Sequence, residues 1–256
     1  LPPAGMTMPQ LWPSLRQEDE SLLVLGIDTA TLVCSTAVVS EEKLVAEYTL
    51  QVKKTHSERL LPFIAAMLKD AGIDLGSLDG VAVAAGPGSF TGLRIGIVTA
   101  RALGQALEVP LCGVSTLEAL AAQHPLFNGI ICPILDARRN QVYNALFQGG
   151  RKCRRLTEDR AISLARLLAE LGKRQEDVLF IGDAVPVYQE TVADALGPRA
   201  CFMPQESAIC RSGAVARLGL AKIAAGRGCT WRELKPNYIR RSQAEIKLQA
   251  QAAGGD

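Results

Sequence analysis

The sequence predicts an α/β protein of two related lobes, the second abbreviated. Short apolar runs of strand length alternate with longer runs of helical periodicity, the pattern of layered sheets and helices. A unit of strand, aspartate, polar turn, strand and strand occurs twice, first around Asp28 and again around Asp136. With 256 residues, 48% of them hydrophobic, and a mean hydropathy of +0.14, the chain can bury a substantial core.

Taken in order, residues 1–21 carry four prolines and an acidic end without periodicity, and read as a disordered leader to which no function is assigned. Residues 22–27 form an apolar strand running into the polar turn Asp28-Thr29-Ala30-Thr31, and 33–39 and 44–50 follow as strands joined by short hairpin connections. Thr55 and Ser57 precede a helix to about Gly72, with Leu60, Ile64, Met67, Leu68 and Ala71 on one face and Leu61 and Phe63 beside it. Pro62 removes an N–H from its early turns. Next come a strand at 81–85, a glycine-rich turn, a helix to Leu107 and a strand at 110–114, which complete the first lobe over residues 22–116.

The second lobe, 117–230, repeats the opening with strands at 130–135, 142–147 and 152–156. Helices at 161–171 and 187–196 flank a strand at 178–181, and a final helix at 213–225 packs back on the first lobe. A tail, 231–256, contains Pro236, Tyr238 and Arg240.

The turn Gly86-Pro87-Gly88-Ser89-Phe90-Thr91-Gly92 organises the chain. Glycine admits positive φ and proline presets φ, so the chain reverses before Ser89 or Thr91 caps the next helix. A helix N-terminus behind a glycine turn can hold a phosphate. The spacing is nevertheless neither a P-loop, since no Gly-Lys-Ser/Thr is present, nor a dinucleotide fingerprint, being one residue too long. Within that helix Gly92, Gly96, Ala100 and Gly104 recur every fourth residue and make a shallow groove, while each glycine costs about 0.8–1 kcal/mol relative to alanine. The groove either packs against a helix of this chain or receives a partner's helices.

Several functions are excluded on residue content. Only His56 and His124 are present, so no His-x-x-x-His metal pair exists, and the seven cysteines show no C-x-x-C spacing. No Gly-x-Ser-x-Gly elbow occurs. No apolar run reaches membrane-span length and no signal peptide is apparent, which leaves a cytoplasmic location as the default. A net charge of +2 is too small for a nucleic-acid-binding surface, although Arg151, Lys152, Arg154 and Arg155 cluster, as do Arg240, Arg241 and Lys247 near the end. Asp28 and Asp136 each end a lobe's first strand, where a carboxylate either meets a metal or phosphate across an interlobe cleft or closes an Asx-turn. Thr29, Thr31 and Ser35 supply hydroxyls there, but no glycine follows Gly26 in that turn.

Together these blocks resemble the TsaB family, also called YeaZ. They are Leu25-Gly26-Ile27-Asp28-Thr29-Ala30 with Ser35, the helix after Thr55-His56-Ser57-Glu58, the glycine turn through Gly96, Leu135-Asp136-Ala137-Arg138 and Pro236-Asn237-Tyr238-Ile239-Arg240. The resemblance spans about 22–241, and its most specific part is Gly-Pro-Gly-Ser-Phe-Thr-Gly-Leu-Arg. The leader and the basic run at 151–155 are not part of it.

The resemblance implies an actin-like, Hsp70-like ATPase superfold of two RNase-H-like lobes. It also implies a non-catalytic subunit that supports a TsaD-type catalytic paralogue in threonylcarbamoyl modification of adenosine 37 in ANN-decoding tRNAs, with a TsaE-type ATPase joining. The partner surface it implies is the pair of first-lobe helices, through Leu60, Leu61, Ile64, Phe90, Gly92, Leu93, Gly96 and Ala100. The same surface supports a homodimer when the partner is absent, and tRNA is met mainly through the complex. No metal or cofactor of its own is expected. The sequence leaves open whether a nucleotide is held at the partner interface, and Asp28, Thr29, Gly88 and Ser89 are the candidate nucleotide or phosphate contacts in this chain. The alternatives are a free-standing nucleotide-dependent enzyme of the same superfold, a peptidase, and a nucleic-acid-binding module. The glycine-poor first turn, the missing metal ligands and the small net charge argue against these three in turn.

Overall fold

Strand β1 (Val24–Asp28) is buried along its whole length because it lies in the middle of a five-stranded sheet covered on both faces. The computed structural model describes residues 21–51, 56–150 and 153–240. The proposed leader up to Glu20, Thr55, Arg151, Lys152, Arg241 and Lys247 lie outside the described residues.

β1 pairs antiparallel with β2 (Val33–Val39), which pairs antiparallel with β3 (Leu44–Gln51). On its other side β1 runs parallel to β4 (Gly80–Gly86), which runs parallel to β5 (Leu111–Ser115), giving the order β3-β2-β1-β4-β5. Alternate residues face opposite layers. Leu25, Ile27, Val81 and Val83 share a core with Leu60, Ile64 and Met67 of helix α1 (His56–Asp70) and Ile97 and Ala100 of α2 (Phe90–Leu107). Val24, Ala82 and Ala84 face the other way.

That second face is covered by the last described helix. After α3 (Thr116–Ala122) the chain builds the second lobe, then returns as α6 (Ser212–Ala224), whose Val215, Ala216 and Leu220 lie against the first sheet. Its first turn is pinned by hydrogen bonds from the Ser212 N–H to Ser35 Oγ (3.0 Å) and from the Gly213 N–H to Glu47 Oε1 (2.8 Å).

The second lobe repeats the sheet order. β6 (Ile130–Asp136) pairs antiparallel with β7 (Gln141–Asn144), which pairs antiparallel with β10 (Arg160–Ser163). β6 also runs parallel to β11 (Val178–Ile181), and β11 to β12 (Ala200–Phe202), so β10-β7-β6-β11-β12 reproduces β3-β2-β1-β4-β5. Two-residue strands β8 (Phe147–Gln148) and β9 (Arg154–Arg155) hang off this path, and α4 (Leu164–Leu171) and α5 (Val185–Leu196) cover one face. Two lobes with this shared strand order follow one another along the chain. The second is abbreviated in helix and strand length rather than in strand number.

Several elements differ from the sequence expectation, β12 among them, for which no strand is expected between the helices at 187–196 and 213–225. The expected helix at 161–171 begins as strand β10, because Ser163 caps α4 by accepting the Arg166 N–H and the three residues before it pair with β7. The expected strand at 142–147 breaks after Asn144, a fully buried amide that donates to the carbonyls of Pro133 (3.1 Å) and Ala145 (3.2 Å). The strand expected at 152–156 shrinks to β9 and pairs only with β8. Helix α3 went unread because its apolar residues are buried all round and leave no single stripe.

Candidate functional site

The glycine turn is pressed onto the β1–β2 turn. Ser89 N–H donates to the Ala30 carbonyl at 2.7 Å, and the Thr29 hydroxyl donates to the Gly92 carbonyl at 2.8 Å. A Cβ on Gly88 would sit 2.3 Å from the Ala30 oxygen, and one on Gly92 would sit 2.0 Å from the Thr29 oxygen. Real Cβ atoms do not approach backbone so closely, so both positions require glycine.

This packing decides the phosphate expectation. Asp28 and Thr29 are 0% and 1% exposed, beyond reach of a ligand. Asp28 Oδ1 accepts the Ala30 N–H at 2.8 Å in an Asx-turn, and burial pushes its carboxyl above the usual range, opposed by the Cys210 thiol, the Ala30 N–H and the charge of His56. Ser89 caps α2 by accepting the Gly92 N–H, so its own N–H and the Gly92 N–H are both occupied. Gly88 and Ser89 line the interlobe cleft, but these four residues do not fit a phosphate. They serve as the seam between glycine turn and sheet.

The partner-contact expectation is corrected in the same way. Leu60, Ile64, Leu93, Gly92, Gly96 and Ala100 are all buried in the first lobe. The small-residue stripe faces the sheet, since a Cβ on Gly96 would meet Thr29 Oγ1 at 2.6 Å and Val83 Cγ2 at 3.2 Å. The groove therefore packs on this chain's own strands, not on a helix of its own or a partner's. Leu61 is 56% exposed, and Phe90 is half-buried. The outer face of the two helices is instead made of Leu61, Ala65 and Ala66 on α1 and Thr91, Arg94, Val98 and Ala102 on α2, all exposed. Val98, 63% exposed, is in the sequence reading only bulk around the stripe, although its place four residues after Arg94 on the polar side marks it as outward-facing.

Between the lobes lies a cleft of about 710 Å³. The glycine turn forms one wall, and the β6–β7 loop and the tail form others. In that loop Arg138, Arg139 and Asn140 hold φ of 61°, 54° and 56°, three consecutive left-handed residues other than glycine. The turn is held by Asp136 Oδ1, which accepts the Arg138 N–H at 2.7 Å, and by the Arg240 guanidinium, which donates to the Ala137 carbonyl at 2.6 Å. The tail crosses the first lobe on the way: Asn237 N–H donates to the Ala85 carbonyl, and Tyr238 stacks on Phe90 with ring centres 4.6 Å apart. Arg94 sits 4.0 Å over the Phe90 ring and donates to the Tyr238 hydroxyl. Asp183, at the end of β11, accepts the Asp136 N–H at 3.0 Å. It is exposed to the cleft, yet the surrounding walls and the Asp136 carboxylate hold its carboxyl above the usual range. The sequence reading passed over Asp183, though Gly182-Asp183 after an apolar strand repeats the strand-end acid of Asp28 and Asp136. Among the described residues no group of three or more His, Cys, Asp or Glu is placed to hold a metal ion.

Comparison with known proteins bears on this architecture. The family model described as TsaD, tRNA N6-adenosine threonylcarbamoyltransferase, matches residues 43–248. The chain is 35% identical over 227 residues to the tRNA threonylcarbamoyladenosine biosynthesis protein TsaB of Bacillus subtilis, covering 88% of this chain and 97% of that protein. The chain belongs to the TsaB family, within the wider group that the TsaD model describes. The TsaB of Escherichia coli is 39% identical over 127 residues, 49% of this chain and 54% of that protein. The solved structure of YeaZ from Pseudomonas aeruginosa superposes with a TM-score of 0.70 at 25% identity, over 86% of this chain and 99% of that one. Among the described residues no helix is long and apolar enough to cross a membrane.

Proposed function

We propose that the chain takes part in tRNA threonylcarbamoyladenosine biosynthesis as a non-catalytic scaffold subunit. It binds and supports a TsaD-type transferase that modifies adenosine 37 of ANN-decoding tRNAs. Its TsaB relatives are named for that pathway. The observation that carries the scaffold reading is the outer face of α1 and α2, where Leu61 and Val98 stand in solvent among Ala65, Ala66 and Ala102. Small side chains between two exposed aliphatic ones let another helix pair approach closely, and burying such residues drives association at about 25 cal/mol per Å².

The filled seam between Asp28 and the glycine turn supports the non-catalytic half of the reading. A nucleotide enters only at the partner interface, and a TsaE-type ATPase joins the assembled pair. A second copy occupies the same face when the paralogue is absent, and tRNA is met mainly through the complex. The test is sedimentation of the chain with the TsaD-type paralogue of its own organism, together with an ATPase assay of the chain alone. A heterodimer without intrinsic ATP hydrolysis is expected. Hydrolysis by the isolated chain, or no complex, would overturn the reading.

A further inference from the structure

A second cavity, of about 180 Å³, adjoins the interlobe cleft and shares Thr31, Leu32, Leu135 and Asp183 with it. Leu120, Val185, Met203 and Ile209 give it an apolar body, and the amides of Gln51, Gln189 and Gln205 give it polar points. Its size suits one small ring, since an engineered apolar cavity of about 150 Å³ takes up benzene.

Among the described residues that line this cavity the charge is one-sided: Asp183 is a wall residue, and none of them is a lysine, arginine or histidine. The neighbouring basic residues His56, Arg138, Arg139 and Arg240 line the larger cleft instead. A second carboxyl stands behind the wall: Cys210 lines the cavity, and beside its thiol lies Asp28, 0% exposed, with a buried Oδ2 that has no hydrogen-bond partner. Asp28 and Asp183 repel each other's charge, and His56 offsets only the Asp28 side.

We propose that this cavity binds a small organic cation, a primary ammonium on an apolar body about the size of one aromatic ring. The ammonium meets the Asp183 carboxylate, with the glutamine amides accepting its remaining N–H groups, and the ring lies against Leu120, Leu135 and Val185. An ammonium pairs with a carboxylate held among apolar walls more strongly than in water, and an anion or a neutral isostere has no such partner.

The test titrates benzylammonium, benzyl alcohol and benzoate into the full chain by calorimetry. Benzylammonium is expected to bind with a dissociation constant on the order of 1 mM, and the other two at least about tenfold more weakly. Asp183→Asn keeps an acceptor for the Asp136 N–H while removing the charge, and is expected to weaken the amine about tenfold. Because Asp183 also lines the larger cleft, Gln189→Trp, at an exposed helix position on the small cavity alone, is expected to abolish binding without changing the unfolding temperature. The proposal is overturned by equal binding of the three probes, by no saturable binding of benzylammonium up to about 20 mM, or by unchanged affinity in either variant.

Discussion

The hydroxyl of Thr29 donates a 2.8 Å hydrogen bond to the carbonyl oxygen of Gly92, joining the end of β1 to the first turn of α2 across 63 residues. The approach is possible because Gly92 has no side chain: a Cβ there would clash with the backbone carbonyl oxygen of Thr29. The stripe of small residues that looks like a partner groove is thus the means by which α2 reaches its own sheet.

Gly92→Ala is therefore expected to destabilise the chain severely, by roughly 3 kcal/mol or more, as backbone overpacking and loss of the Thr29 bond combine. Gly96→Leu, filling the space against Thr29 and Val83, is expected to prevent folding. Urea denaturation checks both, and near-native stability of either would contradict the packing.

Asp28 gives a pH prediction. Burial raises its carboxyl above the unfolded value near 3.8, so the folded chain binds the proton first as pH falls. Through this group stability decreases as pH rises from about 3.8 through the folded value, and is constant above it. Asp28→Asn keeps an acceptor for the Ala30 N–H and removes the buried charge. Thermal unfolding of the variant is expected at a higher temperature than wild type at neutral pH, with the difference closing toward pH 4. A lower unfolding temperature at neutral pH would show that the charge is compensated in a way the buried, unpaired Oδ2 does not suggest.

Glu47 anchors the return of α6. Its carboxylate is 5% exposed, pairs with Arg211 and accepts the Gly213 N–H. Glu47→Ala leaves the Gly213 N–H without its partner and removes a negative charge from the helix N-terminus, and a loss of about 2–3 kcal/mol is expected by chemical denaturation. Arg211→Ala, whose side chain is 53% exposed, is expected to cost under about 1 kcal/mol. Equal costs would assign the anchoring to the ion pair instead of the backbone bond.

Arg240 holds the left-handed turn of the second lobe through the Ala137 carbonyl. Arg240→Ala is expected to raise amide hydrogen exchange across 137–141 while leaving α2 unchanged. Unchanged exchange in the loop would mean that the Asp136 Asx-turn suffices alone.

Much of this was legible in the sequence. The paired strand–aspartate–turn units marked both lobes because buried central strands must be apolar throughout and must end in polar turns, as at Asp28 and Asp136. The cap was readable as far as Ser89 or Thr91, since a hydroxyl after a glycine turn suits that role, and the structure selects Ser89. The stripe at Gly92, Gly96 and Ala100 was misassigned because spacing reports close approach and not what approaches. Strand β10 was hidden because Ala161-Ile162-Ser163 flows into a helical pattern without a break. The sequence points to an interlobe cleft but not to the smaller cavity, whose walls combine residues such as Leu32, Leu120 and Met203 that only the return of the chain between lobes brings together.

The most direct test of the scaffold account is sedimentation equilibrium of the chain with its TsaD-type paralogue, for wild type and Val98→Glu. Val98 is exposed, so the substitution is expected to change stability by less than about 0.5 kcal/mol. A charge in the middle of the helix face is expected to weaken the heterodimer at least about thirtyfold, the scale of an interface hot spot. If Val98→Glu folds normally and the complex forms with unchanged affinity, the outer face of α1 and α2 is not the partner surface.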